Sequence, residues 1–372
     1  SIMSDFIEYK DKMAFHPGYY VKEIIEDGGL TQEEFAYRLG TTPKNLSILL
    51  RGEQRLSIDI AEKLSRMLGT TTTFWLNLQQ SWDEVIAQIK YDEELEQEKR
   101  VFRYIDYKYF RDNFGLPDIP RKTNEQIKRV REFLRISSLM VLKEEKLSSV
   151  SFRSYRESLS ESNTVNTNAM LQIAFNEAAG MKAPAYNRKS FERAIEYALT
   201  LTDCVPGYID NMKEKFREAG VILVVLPNLS NSGVNGAVKK VDGKVMLMVN
   251  NRRLYADTFW FTLFHEIGHI LNSDYGVSYD LDKKSDKEAA ADRYAAEKLI
   301  PQAEYDTFIA SSDSFTEETI RAFATSINRD PGIVLGRLKK DGLVPYTETM
   351  LDKKLRHRYE MLLTEDNTKE SE

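Results

Sequence analysis

The chain has 372 residues, too many for one ordinary core, so two to three domains are expected. Its composition, 42% hydrophobic and 30% charged, is that of a globular protein, with no apolar run long enough to span a membrane and no signal-peptide pattern at its start. One cysteine, Cys204, excludes an intrachain disulfide and a multi-cysteine zinc site and fits a reducing cytoplasm, while a net charge of −6 means that any nucleic-acid role needs a local basic patch.

From about His16 to Gln80 the pattern is one of short helices and tight turns, an all-α module. GYYVKEIIED is helical up to Gly28 and Gly29. TQEEFAYRLG opens on Thr31 as N-cap with Glu34 three residues on, the spacing of a capping box, and closes at Gly40. TPKNLSILLRG runs to Gly52, and SIDIAEKLSRMLG from Ser57 to Gly69. The helices flanking Gly40 have helix-turn-helix form, in which early residues of the second helix meet base edges. Those residues are Thr42, Lys44, Asn45 and Ser47. Gln32 at the start of the first helix, with Arg51 and Arg55 just past the second, is placed to hold phosphates. Local charge from Arg38 to Arg55 is positive. The competing reading is a helical bundle kept for dimerisation or partner recognition, which the acidic residues Glu23, Glu26, Asp27, Glu33, Glu34 and Glu53 favour. With HPGYYVKEII before it and FWLNLQQ after it, the stretch over about residues 15–82 resembles the Xre-type repressors, and most of all the HigA-type antitoxin domain. That resemblance implies binding to its own operator DNA, a cognate toxin as partner, and a homodimer.

TTTFWLNLQQSWDEV then leads into KYDEELEQEKR, expected as a solvated helical connector. Residues from about Val101 to Thr202 read as mostly helical: NEQIKRVREFLRISSLMVL strongly so, SFRSYRESL weakly, SNTVNTN as a loop, RKSFERAIEYALTL as a helix again. They carry no catalytic signature, and a spacer or sensing module is expected.

From Pro206 the pattern changes to α+β. YIDNMKEKFREAG is an amphipathic helix, VILVVL a buried strand, and VNGAVKKV and KVMLMVN a hairpin whose Asp242-Gly243 suits a type I′ turn. A nearly all-apolar helix containing TLFHEIGHILN follows, then a polar loop, NSDYGVSYDLDKK, and a helix, SDKEAAADRYAAEKLIP, stopped by Pro301. TEETIRAFATSINRDPGIVLGRLKKDGLV has the outline of a helix-turn-helix pair, with a helical lid packed on what precedes it as the preferred reading, and the last twenty or so residues read as a charged, frayed tail.

HEIGH is H-E-x-x-H. On a helix, His265 and His269 project from one face about one turn apart, and both imidazoles can reach one divalent ion. Glu266 points to the side, where it can hold the attacking water and act as general base. Burying these groups in an apolar helix is costly unless a partner such as a cation neutralises them. Glu288 on the following helix is the expected third ligand, and Asp292, one turn on, the acceptor that orients a histidine ring, giving His2Glu plus water around Zn2+. Alternatives remain: Ser285 to Glu288 also fits a capping box, and Asp280 or Asp282 can coordinate. Tyr255, Tyr275, Tyr279 and Arg252 are candidates to stabilise an oxyanion.

Residues from about 206 to 345, through GVILVVL, the hairpin, FTLFHEIGHIL and EAAADRYAAEKLIP, resemble the ImmA/IrrE family of metallopeptidases. The resemblance implies a thermolysin-like zincin core, with His265, His269 and Glu288 as zinc ligands and Glu266 as the base. Asp292 departs from the asparagine of many members. Family kinship also implies cleavage of helix-turn-helix repressors. The expected divisions are 1–85 for DNA binding, 86–205 for the middle region, 206–305 for the peptidase core, 306–350 for the helical pair and 351–372 for the tail. The expected function is a zinc endopeptidase with its own DNA-binding domain, its substrate strand lying along an edge such as the hairpin. The second reading is an autoregulating antitoxin or repressor whose peptidase-like part senses or grips a partner.

Overall fold

Side-chain caps and left-handed glycines end the N-terminal helices where the apolar period breaks. In the computed structural model, which describes residues 6–144, 160–203, 208–250, 255–279 and 285–358, the chain divides into one unit over Ser1–Gln97 and another over Glu98–Glu372. The first opens with an antiparallel hairpin, Phe6–Tyr9 (β1) and Lys12–Phe15 (β2), in a stretch to which the sequence reading assigned nothing. Helices Pro17–Asp27 (α1), Gln32–Leu39 (α2), Pro43–Leu50 (α3), Ile58–Leu68 (α4) and Thr72–Phe102 (α5) follow, the last counting with the second unit from Glu98 on. Thr31, Thr42 and Ser57 cap α2, α3 and α4 by accepting from Glu34, Asn45 and Ile60 N–H. The expected capping box at Thr31 is only half formed, because the Glu34 carboxylate turns instead to Arg38 Nε, 2.9 Å away. Phe35, Leu39, Leu46, Leu49, Leu64 and Trp75 fill the core of this unit, each contributing about 1.5–3 kcal/mol by leaving water.

The charged stretch read as a solvated connector is part of α5, and its inner face is buried at Leu95, Glu98 and Val101. Glu98 is held by Arg131 Nη1 at 3.0 Å and by the N–H of Leu139 at 2.9 Å. The second unit continues with Tyr107–Phe114 (α6), Thr123–Leu134 (α7), a 3-10 turn at Leu139–Lys143, Glu161–Gly180 (α8), Arg188–Leu199 (α9) and Tyr208–Glu218 (α10). NEQIKRVREFLRISSLMVL is therefore not one helix: Arg135 turns left-handed, φ 55°, after α7, and Ser138 caps the 3-10 turn. SNTVNTN, expected as a loop, lies inside α8 behind a full Ser160–Asn163 capping box. SFRSYRESL lies at 151–159, outside the described residues.

Four strands form the sheet of the second unit: Val221–Leu226 (β3), Val234–Val241 (β4), Lys244–Asn250 (β5) and Gly276–Tyr279 (β6), in the order β3-β5-β4-β6. β5 runs parallel to β3 and antiparallel to β4, and β6 antiparallel to β4. Asp242 and Gly243, at φ 50° and 76°, make the tight β4–β5 turn that Asp-Gly favours. β6 was hidden in what read as a polar loop. The hairpin strands β4 and β5 are consequently interior, and the edges are β3 and β6, a correction to the substrate edge expected from sequence.

Alternate strand residues explain the continuous apolar runs. Val221, Leu223, Val238, Val245 and Leu247 share a core with Phe259, Leu263 and Ile267 of helix Ala256–Leu271 (α11). Ile222, Val224, Met246 and Met248 point to the other face and are equally buried. α8 packs there, against β3, β4 and β5, with Phe175 under the Lys239 ammonium at 4.4 Å. Phe191 and Ile195 of α9 join the α11 core. Helices Asp286–Leu299 (α12), Gln302–Ser311 (α13), Glu317–Ser326 (α14), Pro331–Lys340 (α15) and Thr349–Leu355 (α16) complete the unit. Ile333, Val334 and Leu335 of α15 also join that core, and Leu355 of α16 is buried at the start of the stretch read as a charged tail. The division expected at 85/86 falls inside α5, whereas the two units meet at 97/98.

Candidate metal centre and nucleic-acid module

The C-terminal half of α11 is buried nearly all round, and the polar trio is buried with it: Glu266 and His269 are 0% exposed and His265 is 8%. One helical turn brings the two imidazoles together at 4.8 Å between centroids, with Nε2 to Nε2 at 3.1 Å. α12 crosses α11 at Gly268, where a Cβ would stand 3.3 Å from the Ala291 backbone, and this close approach delivers Glu288 and Asp292. Glu288 Oε2 lies 3.0 Å from His265 Nε2, and Oε1 lies 3.2 Å from His269 Nε2. His265 Nδ1 lies 2.8 Å from Asp292 Oδ1, and His269 Nδ1 lies 3.0 Å from Asp274 Oδ2.

Each imidazole lies between two carboxylates, so a cation at the centre decides the tautomer: each Nε2 then turns a lone pair inward and each Nδ1–H donates outward to its aspartate. Two imidazole lone pairs and a carboxylate then converge, their donor atoms all within 4.8 Å of one another. Three acceptors at such range repel unless a proton or a cation sits among them. Tetrahedral ligation at about 2.0–2.1 Å places donor atoms roughly 3.3 Å apart, close to the spacing found here. Without a cation, protons take its place. Burial alone lowers the His265 pKa, but hydrogen bonds to Asp292 and Glu288 and the charge of Glu266 outweigh it and raise it to about 9. Burial pushes Glu288 upward, yet hydrogen bonds from His265 and His269 hold it well below the ordinary carboxylate range.

The expected residues His265, His269, Glu288 and Asp292 are brought together. Ser285 Oγ does accept from Glu288 N–H at 3.3 Å, but the Glu288 carboxylate goes to the imidazoles, so the capping box is not completed. Asp280, Asp282, Arg252 and the Tyr279 side chain lie outside the described residues. Tyr255 caps the far end of α11, ten residues before His265 and so about 15 Å along the helix, stacked on the Arg356 guanidinium at 3.8 Å. It does not reach the ligands and is too far from them to stabilise an oxyanion there. Tyr275 lies under the Lys240 ammonium at 5.2 Å. Sequence reasoning missed Asp274. Its signal was an aspartate in the turn directly after the helix, five residues past His269, where the chain folds back at Ser273, φ 53°. Lys287 Nζ holds the other Asp274 oxygen at 3.1 Å.

In the first unit Gln32, Lys44 and Asn45 are exposed, and Ser47 is half-buried. Thr42 is exposed but its hydroxyl caps α3. Arg51 is exposed and held by both Glu53 oxygens at 3.0 Å and by Ser47 Oγ at 2.7 Å, and Arg55 by Asp83 at 2.7 Å. Exposed pairs of this kind are weak and exchange readily for another anion.

Residues 21–75 match the helix-turn-helix family model. Over 79 residues the chain is 35% identical to the HTH-type transcriptional regulator YddM of Escherichia coli K12, spanning 21% of this chain and 84% of that protein. The chain belongs to the helix-turn-helix regulators. Its N-terminal segment is also 34% identical over 80 residues to antitoxin HigA-1 of Vibrio cholerae, spanning 22% of this chain and 75% of the antitoxin. Among solved structures, an addiction module antidote protein of a HigA family from Coxiella burnetii is 28% identical, covering 22% of this chain and 91% of that one, with a TM-score of 0.21. Residues 222–327 match the Peptidase M78 model, described as the IrrE N-terminal-like domain. This regulator therefore joins a DNA-binding module to a metallopeptidase-like domain, in a mainly helical chain with small sheets. No helix among the described residues is long and apolar enough to cross a membrane.

Proposed function

We propose that this regulator is a zinc-dependent endopeptidase of thermolysin-like type that acts on a helix-turn-helix repressor and binds its own operator DNA. The observation that carries the reading is the convergence of His265 Nε2, His269 Nε2 and Glu288, with carboxylates of Asp292 and Asp274 lying 2.8 and 3.0 Å from the two Nδ1 atoms. A divalent cation at this set supplies Lewis acidity, lowering the pKa of water and polarising a peptide carbonyl. Glu266, next to His265 and fully buried, takes the proton of the attacking water and passes it to the leaving nitrogen. Asp292 and Asp274 keep the Nε2 lone pairs aimed inward. The working peptidase unit is Glu98–Glu372, because α8 and α9 cover surfaces that the span 206–305 would leave bare.

Metal analysis of the purified protein and cleavage of candidate repressors by wild type and Glu266→Ala test the reading. Zinc at one equivalent, lost in His269→Ala, with cleavage at least about a hundredfold slower in Glu266→Ala, is the expected result. Equal cleavage by both proteins would refute it.

The similarity to antitoxin HigA-1 supports a second reading, an autoregulating repressor with a protein partner such as a toxin, and a homodimer on DNA. Base contacts are assigned to Thr42, Lys44, Asn45 and Ser47, and phosphate contacts to Gln32, Arg51 and Arg55. A footprint on its own promoter, with Arg51→Ala and Arg55→Ala each reducing the salt slope by about one, supports it. Failure to select any specific site from random DNA counts against it.

A further inference from the structure

We propose that Gly236 of β4 is a positioning residue for Glu266: the missing Cβ is the space in which the carboxylate rests. The catalytic consequence rests on the peptidase reading above, and the packing claim stands without it. A Cβ on Gly236 would lie 2.6 Å from Glu266 Cγ, 2.7 Å from Oε1 and 2.8 Å from Cδ. Carbon atoms in good contact stand about 3.5–4.0 Å apart, so one side must move. Glu266 is fully buried, so it cannot relieve the contact by swinging into solvent. The closest atom is also Cγ, near the root of the side chain, and moving it means changing χ1 and turning the carboxylate away from the imidazoles.

Nothing else at this position asks for glycine. Gly236 is absent from the left-handed residues, so alanine could adopt its backbone. Glycine inside a strand is otherwise destabilising relative to alanine. The strand is held in place from several sides. Gly236 follows an irregularity in the β4–β6 ladder, where Val234 pairs with Tyr279 and Gly236 with Ser278, and such bulges re-aim a strand beside active sites. Asn250 Nδ2 donates to the Val234 carbonyl, and Thr167 Oγ1 of α8 donates to the Ser232 carbonyl at 2.8 Å.

The test is a double-mutant cycle on the full-length, zinc-loaded protein: wild type, Gly236→Ala, Glu266→Ala and both together. Zinc content stays at wild type in Gly236→Ala, since no ligand is touched, while its thermal midpoint drops by several degrees. In the Glu266→Ala background the same substitution leaves the midpoint unchanged, because the clashing side chain is gone. Equal drops in both backgrounds, or no drop in the single variant, overturn the proposal. With denatured casein as probe, Gly236→Ala loses kcat by about tenfold or more with KM unchanged, as displacement of a general base requires. A wild-type kcat in that variant overturns the positioning role. If the wild-type protein cleaves neither casein nor a repressor, the peptidase reading fails, and the stability cycle alone decides the contact between Gly236 and Glu266.

Discussion

Asp292 and Asp274 each stand beside one imidazole. With a cation bound, each accepts a hydrogen bond from an Nδ1–H and so keeps an Nε2 lone pair aimed at the same point. Asp292→Asn or Asp274→Asn should weaken zinc binding by about 10–100-fold, read by competition with a chromophoric chelator. Unchanged affinity in both would separate these carboxylates from the metal. The raised pKa of His265, about 9, has a second consequence. Zinc needs that nitrogen unprotonated, so apparent affinity should rise about tenfold per pH unit up to about 9, and uptake at pH 7 should release a proton. Calorimetry in buffers of different ionisation enthalpy measures the release, and none at pH 7 would contradict the raised pKa. In the cation-free protein the same shift is stabilising below the ordinary histidine pKa, and that contribution is lost as pH rises through about 9. The pairs His265/His269 and Glu288/Asp292 were legible from spacing as neighbours on one face, because a helix converts i, i+4 into a shared face. Asp274 and Gly236 were not, because a turn and a strand convert no fixed interval into proximity.

α8 shows how element polarity misleads. SNTVNTN has the composition of a loop, yet Asn166, Thr167 and Asn168 are buried in a helix. Their partners are carbonyls remote in sequence: Tyr104 for Asn166, Ser232 for Thr167, Leu142 for Asn168. Polarity therefore marked buried donors aimed at distant carbonyls rather than exposure. Thr167→Val keeps the shape and leaves the Ser232 carbonyl without that donor, which should cost about 1–3 kcal/mol in urea unfolding. An unchanged midpoint would mean that the loop before β4 does not depend on α8. The strands were easier to read. VILVVL and KVMLMVN carry apolar residues at both parities because α11 covers one face and α8 the other. β6 escaped notice because four residues, Gly276–Tyr279, are too few to show a period.

At the scale of the molecule, two units of different chemistry share one chain. Zinc binds only the folded second unit in the proposed reading, so chelation should lower one thermal transition and leave the other in place. Calorimetry with and without EDTA checks this, and a shift of both transitions would show that the units unfold together. The sequence by itself determined the helix-turn-helix, with its caps and glycine stops, and the H-E-x-x-H helix, because both are local: hydrogen bonds and apolar periods within about ten residues specify them. Only the tertiary structure decided what surrounds the centre. The second imidazole's carboxylate, the glycine against Glu266, the helix behind the sheet and the strand at its edge all depend on contacts between distant segments. Those contacts leave no interval in the sequence, since what selects them is the shape and polarity of a surface that exists only once the chain has folded.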